Sequence, residues 1–367
     1  MQGAGEPGEK PVGVALLLSE GAASRGGIGR IMANLDEELK RRHPDIRACR
    51  HAARLTERPL LNHLSVPLAL ARFTALCAAG KVDVAHVNIA PRGSTWRKML
   101  FARVARCFGA RLVLHLHGSG YDEWFGGLGP ARQGAVAAFF RGADAVVAMG
   151  GHWAGFLVEA MGVPPGKVHR IANGVADRPP SPGSPEGTPP VLVVLGIVGE
   201  RKGTDVLLEA LSSERIRTRP WRAIIGGNGE VDKARRRAQE LGLAGRVDFV
   251  GWVGPAEVDA ILRKGDIYIL PSRQENQPMS ILEAMACAMP VLSTRIGAIP
   301  EQVIEGETGL LVPPGDAEAL AGALETLLAD PERRRRMGHA GRERQQRVFS
   351  IRAGADSFAA LYRALAR

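Results

Sequence analysis

Two glutamates eight positions apart, Glu275 and Glu283, lie on either side of a change in local structure. The apolar run ending at Ser272 reads as a buried strand, and the polar loop after it carries Glu275. Pro278 sits where a first helical turn accepts a residue without an N–H. The helix that follows, SILEAMACA, leaves the N–H groups of Met279, Ser280 and Ile281 aimed back at the C-terminal edge of the sheet, which makes an anion site. Glu275 in the loop and Glu283 further along the helix can then flank one ligand at different depths. A second stretch suited to anions is SRGGIGR at residues 24–30, where Gly26, Gly27 and Gly29 let main chain approach a ligand and a helix starting at Ile28 adds a favourable dipole. A simple turn is the other reading of those glycines. A third is HLHGSGYDEW at 115–124, in which His117 ends an apolar strand, the place where open α/β sheets hold ligands. His115 and His117 share one face of that strand, so one of them can be a structural histidine, and His117 is the candidate for function.

These groups need a frame that brings strand ends together. GVALLLS (13–19) is an apolar run followed by a glycine-rich loop and a helical stretch from Ile28 to Arg42, a β-loop-α unit. Similar runs at 82–88, 110–118 and 143–150 alternate with helical stretches, as a parallel sheet with helices on both faces requires. The segment PPSPGSPEGTPP (179–190) is too rich in proline for helix or strand and reads as a linker. Apolar runs then restart at 191–196, 223–227, 247–251, 267–272 and 290–295. The expectation is α/β architecture with two Rossmann-like domains, 1–178 and 191–348, joined by that linker, and a helix at 349–367 returning to the first domain. Two domains also suit 367 residues, more than one ordinary core accommodates. Residues 331–367 read as helix throughout, with RRRRMGHAGRERQQR as a solvated face.

The ordered constellation through 271–316 resembles the retaining glycosyltransferases of family 4, which have the GT-B fold, two Rossmann-like domains facing across a cleft. Glu275, Glu283, the LEAMA helix, Pro290-Val291, Pro300-Glu301 and GLLVPPGD at 309–316 carry the match. The resemblance implies that Glu283 binds the ribose hydroxyls of a sugar nucleotide, and that Glu275 with the main chain of Asn276, Gln277 and Pro278 holds the donor sugar. LGIVGERKGTDVLLEAL (195–211) looks like the first strand, loop and helix of the family's donor domain. There Lys202, before Gly203, would neutralise the diphosphate. The arginine usual about five residues earlier is Ile197, and Arg201 would supply the second charge. By the same resemblance Gly26, Gly27 and Gly29 face the donor phosphates, His117 reaches the donor sugar, and Gly226, Gly227 and Gly229 leave room for the nucleotide. VHRIANGVAD is similar to the family's end of the first domain, with Ala172 and Ala176 replacing Pro and Asp and with Asn173 and Gly174 structural. The match is firm over 191–316 and looser before 177.

The implied reaction is retaining transfer of a sugar to a hydroxyl of a lipid-linked, polysaccharide or other glycan acceptor, with Glu275, His117 and Lys202 as catalytic residues. The nucleotide sugar, a UDP-sugar or alternatively a GDP-sugar, is a co-substrate, and no cofactor is implied. The chain contains no Asp-x-Asp, so no metal is implied either. A sugar-nucleotide epimerase of the same fold and a non-catalytic sugar-nucleotide-binding protein are the rival readings.

Charge adds a partner. The net charge is +10, and residues 1–177 hold 22 basic against 14 acidic side chains, net +8, so the front half faces something anionic. Aromatics are only 5% of the chain and offer no stacking platform, which argues against nucleic acid. The segment 91–111 sets Arg92, Arg97, Lys98, Arg103, Arg106 and Arg111 among Trp96, Leu100, Val104 and Phe108. That i, i+4 row is first of all a core-facing stripe. Basic flanks beside it would nevertheless suit an anionic membrane surface. No apolar run is long enough to span a bilayer, and the opening residues lack a signal-peptide pattern, so the expected location is cytoplasmic, peripheral on the inner membrane face. Cys49, Cys77, Cys107 and Cys287 have no pairing pattern and read as buried small apolar residues.

Overall fold

A computed structural model describes residues 10–19, 27–54, 62–118 and 120–367. The chain divides into two compact units, one comprising Met1–Met149, Trp153–Ile171 and Ile351–Arg367, the other Gly150–His152 and Ala172–Ser350. Each is built on a parallel six-stranded sheet.

In the first unit the elements run β1 (Val12–Leu18), α1 (Gly27–Arg42), β2 (Ile46–Ala52), α2 (Asn62–Ala78), β3 (Val84–Ile89), α3 (Gly93–Cys107), β4 (Arg111–Leu116), α4 (Tyr121–Gly126), α5 (Pro130–Arg141), β5 (Ala145–Ala148), α6 (Gly151–Glu159) and β6 (Val168–Arg170). The strand order is β2-β1-β3-β4-β5-β6. β1 and β5 are apolar throughout, and β3 is wholly buried with His86 and Asn88 among its apolar residues, because helices cover both faces of the sheet, which removes the alternation of a half-exposed strand. The edge strands β2 and β6 keep polar residues facing out, and for that reason neither stands out in the sequence. Phe73, Phe101, Tyr121, Phe140 and Trp153 fill the core, each burial worth roughly 1.5–3 kcal/mol.

The second unit continues with β7 (Val191–Leu195), α7 (Thr204–Ser212), α8 (Glu214–Arg217), β8 (Arg222–Gly226), α9 (Val231–Glu240), β9 (Val247–Gly251), α10 (Pro255–Leu262), β10 (Ile267–Leu270), α11 (Met279–Ala286), β11 (Val291–Thr294), α12 (Ile299–Gln302), β12 (Gly309–Val312), α13 (Ala317–Ala329) and α14 (Pro331–Val348). Its order is β12-β11-β10-β7-β8-β9, so the sheet grows in both directions from the β7–β10 pair. The last helix, α15 (Ile351–Ala366), belongs to the first unit.

Several expectations need correcting. The helix over 331–367 breaks at Phe349-Ser350, where the Phe349 carbonyl accepts from the Val175 N–H at 2.9 Å and Ser350 bridges Val175. The arginines of that run are not simply solvated. Arg334 donates to the Leu327 carbonyl, Arg342 to the carbonyls of Arg178 and Ala286, and Arg344 to those of Glu301 and Gln302, so α14 clamps loop and helix ends. The proline-rich segment read as a linker is held by hydrogen bonds to the second unit: the Ser181 N–H donates to the Cys287 carbonyl at 2.7 Å, and the Ser184 N–H to Asp266 at 2.9 Å. Cys49 and Cys107 are exposed, the first on an edge strand and the second at the end of α3, while Cys77 and Cys287 are buried. The row Trp96, Leu100 and Phe108 faces outward, because α3 packs through Thr95, Lys98, Phe101, Ala102 and Ala105 instead. Lys98, expected on an exposed flank, is fully buried.

One glycine sets the approach of two loops in the second unit. After a single tight turn (Glu200–Lys202), Gly203 takes φ 69°, and a Cβ there would run into the Pro271 carbonyl oxygen just beyond β10. Gly203→Ala therefore combines left-handed strain of roughly 1–2 kcal/mol with a main-chain clash. Gly245, also left-handed at φ 77°, has open space around its would-be Cβ and carries the strain alone. The Gly203→Ala urea midpoint should fall clearly further than that of Gly245→Ala; equal shifts would show that the contact with Pro271 carries no energy.

Candidate active site

Strand order decides where ligands enter a doubly wound sheet, because loops leaving neighbouring strands on opposite sides open a crevice at the carboxyl edge. In the second unit this point lies between β7 and β10, and the loops leaving those strands carry Lys202 and Glu275. Their side chains form an ion pair, and the Ser272 hydroxyl donates to the same Glu275 oxygen at 2.9 Å. The stem of Lys202 passes Gly196, where a Cβ would lie in ordinary van der Waals contact with it. α11 begins directly after this loop with Pro278 as its N-cap residue, and proline has no side-chain acceptor to offer the first-turn N–H groups. Glu283 follows on the same helix, buried and 3.4 Å from Arg178, which also pairs with Asp259. Beneath the site Tyr268 of β10 donates to the Leu195 carbonyl at 3.2 Å and ties the two strand ends together; burial pushes its phenol up, so it stays protonated. The result is a cation, two carboxylates and a helix N-terminus around one strand-order reversal.

The loop from 273 to 278 is pinned from several sides. The Gln277 side chain accepts from the Asn173 N–H at 2.6 Å, and the Asn276 carbonyl accepts from the Ala298 N–H at 2.9 Å. Arg201 is exposed, its guanidinium donating to the Gln274 carbonyl at 3.3 Å, while Ile197 is 53% exposed where an arginine is usual in the family resembled. Met279, Ser280 and Ile281 form the first turn of α11. Gly226 closes β8, and a Cβ on Gly227 would meet the Gly196 carbonyl, so main-chain packing alone requires glycine there.

The first unit gathers its polar groups at the same kind of edge. Lys98 of α3 donates to the Asn88 carbonyl and, at 2.8 Å, to the Ser19 hydroxyl, which links the ends of β1 and β3. Asn88 donates through Nδ2 to the Leu17 carbonyl at 3.2 Å, so its Oδ1 faces His117 Nε2 at 2.7 Å. His117 and His115 lie with ring centroids 3.8 Å apart and planes tilted by 42°. His115 continues to His86 at 3.1 Å, and His86 to the Tyr362 hydroxyl of α15 at 2.5 Å. Burial lowers His86 to about 3 and holds His115 and His117 well below the ordinary histidine value, so all three are neutral. With Asn88 Oδ1 as acceptor, neutral His117 carries its proton on Nε2 and keeps Nδ1 as an acceptor. Gly27 opens α1 and Gly29 lies in its first turn; Gly26 falls outside the described residues.

Sequence reasoning missed Asn88, Lys98, Arg178 and Ser272. Ser272 was visible as the polar residue that ends the apolar run, two positions beyond β10. Arg178 and Lys98 look like ordinary surface charges until folding places one beside Glu283 and buries the other.

Two parallel six-stranded sheets of this order, each with polar groups gathered at its carboxyl edge, make the two-domain α/β architecture of the GT-B fold. The family model described as "Glycosyl transferase 4-like domain" matches residues 14–174, and that described as "Glycosyl transferases group 1" matches 179–344. The chain belongs to the family-4-type glycosyltransferases. It is 29% identical over 362 residues to the GDP-mannose-dependent alpha-(1-6)-phosphatidylinositol monomannoside mannosyltransferase of Mycolicibacterium smegmatis, covering 89% of this chain and 92% of that protein. It is 38% identical over 179 residues to the D-inositol 3-phosphate glycosyltransferase of Corynebacterium glutamicum, a match spanning 47% of this chain and 43% of that protein. Among solved structures, sucrose-phosphate synthase from Thermosynechococcus elongatus superposes with a TM-score of 0.76 at 23% identity over 96% of this chain and 98% of that one. HepE of Anabaena, solved with UDP, gives 0.71 at 18% identity over 96% and 100%.

Ring-nitrogen NMR should find His117 as the Nε2–H tautomer with no titration between pH 5 and 8, and Asn88→Asp should raise its pKa by placing a carboxylate at Nε2. An Nδ1–H tautomer would contradict the geometry. Because burial lowers the folded-state values of His86, His115 and His117 below the unfolded one, their contribution to stability is full above about pH 6.5 and declines as pH falls toward about 3. A melting temperature independent of pH over that window would contradict it.

Proposed function

We propose that this glycosyltransferase moves a sugar from a nucleotide donor to a hydroxyl of a lipid-linked or glycan acceptor, with retention of anomeric configuration and without a bound metal. The observation carrying this reading is the Lys202–Glu275 pair at the β7–β10 reversal, beside the N-terminus of α11 and the buried Glu283. Breaking a glycosidic phosphate bond requires the departing diphosphate's charge to be neutralised as the anomeric carbon becomes oxocarbenium-like. Lys202, Arg201 and the N–H groups of Met279, Ser280 and Ile281 do this. Glu283 accepts hydrogen bonds from the ribose hydroxyls. Glu275, with the main chain of Asn276 and Gln277, orients the sugar, and the departing phosphate takes the acceptor proton. In the first unit His117 Nδ1 accepts from a sugar hydroxyl. The donor is a UDP- or GDP-sugar. The long match to a GDP-mannose-dependent phosphatidylinositol monomannoside mannosyltransferase supports the GDP form and a lipid-linked acceptor.

Lys202→Ala and Glu283→Ala should each weaken donor binding by about 1.5–3 kcal/mol, roughly ten- to a hundredfold, with the fold intact. Calorimetry with UDP- and GDP-sugars reads this, and unchanged affinity in both variants would remove the assignment. Activity should persist in EDTA, and product NMR should show the donor's anomeric configuration; inversion, or complete loss on chelation, would contradict the mechanism.

A further inference from the structure

α11 is an apolar helix with a single charge in it. Ile281, Leu282, Ala284, Met285 and Ala286 are buried around Glu283, which is itself only 5% exposed. Withdrawing a carboxylate from water is costly unless it is paired, and exchanging a buried ion pair for apolar side chains often leaves stability unchanged or raises it. Stability therefore gives no reason for a glutamate at this position. Its partner comes from outside the helix: the Arg178 guanidinium lies 3.4 Å from Glu283 Oε1 and also pairs with Asp259 of α10. Only 19% of the Arg178 side chain is exposed, so this is not the loosely held pair of a protein surface. A brace delivers the arginine to that place. Pro179 follows it, and a residue before proline is held to extended backbone. Arg342 of α14 donates to the carbonyls of Arg178 and of Ala286, the last residue of α11. The same guanidinium donates at 2.9 Å to the Asp177 carboxylate, which also accepts from Gln346 at 3.3 Å. The main chain that carries Arg178 and the helix that carries Glu283 are thus fixed to the same point of α14.

We infer that Arg178 is a positioning residue of the donor site, a role that rests on Glu283 meeting the ribose: it fixes the Glu283 carboxylate for both ribose hydroxyls and so makes the site select ribonucleotide over deoxyribonucleotide donors. A carboxylate offers about four acceptor positions, of which the guanidinium takes one on Oε1. The two neighbouring hydroxyls of a ribose need two more, presented in a plane that does not turn. Asp259 holds the guanidinium from its other end, and a planar fork held at both ends fixes the plane of what it binds in a way that a point charge does not. Hydrogen bonds to a charged acceptor are worth roughly ten- to a hundredfold in affinity, ordinary ones roughly two- to tenfold. A Glu283 side chain free to turn away from the ribose would give up that difference.

Calorimetry of the full chain with UDP and GDP, and with their 2′,3′-dideoxy counterparts, tests it. For whichever base the protein accepts, the wild type should prefer the ribose form by roughly ten- to a hundredfold. Glu283→Gln should lower that ratio about tenfold, and Arg178→Met should do the same while leaving the affinity for the dideoxy nucleotide unchanged. Loss of structure alone would not produce that split. Should Arg178→Met fail to fold, Arg178→Lys carries the test with a smaller expected loss, since an ammonium lacks the fork that reaches both Asp259 and Glu283. An unchanged ratio in the folded Arg178 variant, beside a lowered one in Glu283→Gln, would overturn the role of Arg178 and leave the donor site standing. Equal weakening of both nucleotide forms would also overturn it, by making Arg178 a support of the fold. A wild-type chain that binds neither form, or does not tell them apart, would instead remove Glu283 from the ribose, and the inference with it.

Discussion

The candidate donor site depends on how closely two loops approach at the β7–β10 reversal. Without the left-handed turn at Gly203, the chain after β7 could not lie against the Pro271 carbonyl, and Lys202 would not meet Glu275. Both charges are largely withdrawn from water there. Such a pair is stable only when its remaining hydrogen-bonding capacity is met, and Ser272 supplies part of that for Glu275. The pair also keeps the lysine extended toward the strand ends. A site prepared in this way needs little rearrangement to receive negative charge, which is the economy that electrostatic preorganisation offers a group transfer.

The first unit solves a different problem at the equivalent edge. Three histidines, an asparagine and a lysine are buried in a region lined by apolar strands, and each must find partners or destabilise the fold. They do so by binding main-chain carbonyls at strand ends and one another, so the polar groups that could address a ligand also brace β1, β3 and β4. A change in the site is therefore also a change in the stability of the sheet. Asn88 shows this most plainly, since one side chain holds the β1 carbonyl and sets the proton position of His117.

How much of this was legible in the sequence varied with the physics involved. Strands buried on both faces appear as largely apolar runs, so β1, β3, β4, β7 and β10 were readable, as was the loop-helix junction at Pro278. Edge strands β2 and β6 were not, because polar residues interrupt them and their pairing comes from a neighbour, while the apolar β12 is too short to stand apart from the turn motif GLLVPPGD around it. The row Trp96, Leu100 and Phe108 has the spacing of a core stripe, and periodicity cannot tell the inside of a helix from the outside. Neighbouring Phe101, Ala102 and Ala105 compete for the same core and pack better beneath β3 and β4. Lys98 and Arg178 were invisible for the opposite reason: a charge looks solvated until the fold surrounds it.

α15 follows the whole second unit in the chain but packs in the first, and this shapes how the protein is made. Tyr362, which closes the buried histidine chain by meeting His86, is 276 residues away in sequence. During vectorial synthesis at about 5–20 residues per second, the first sheet emerges and collapses with that polar chain still open, and waits tens of seconds while the second unit is translated. The nascent first unit is thus an unfinished domain with a vacancy where a helix belongs, a form that chaperones would meet on the ribosome and that the mature enzyme never shows.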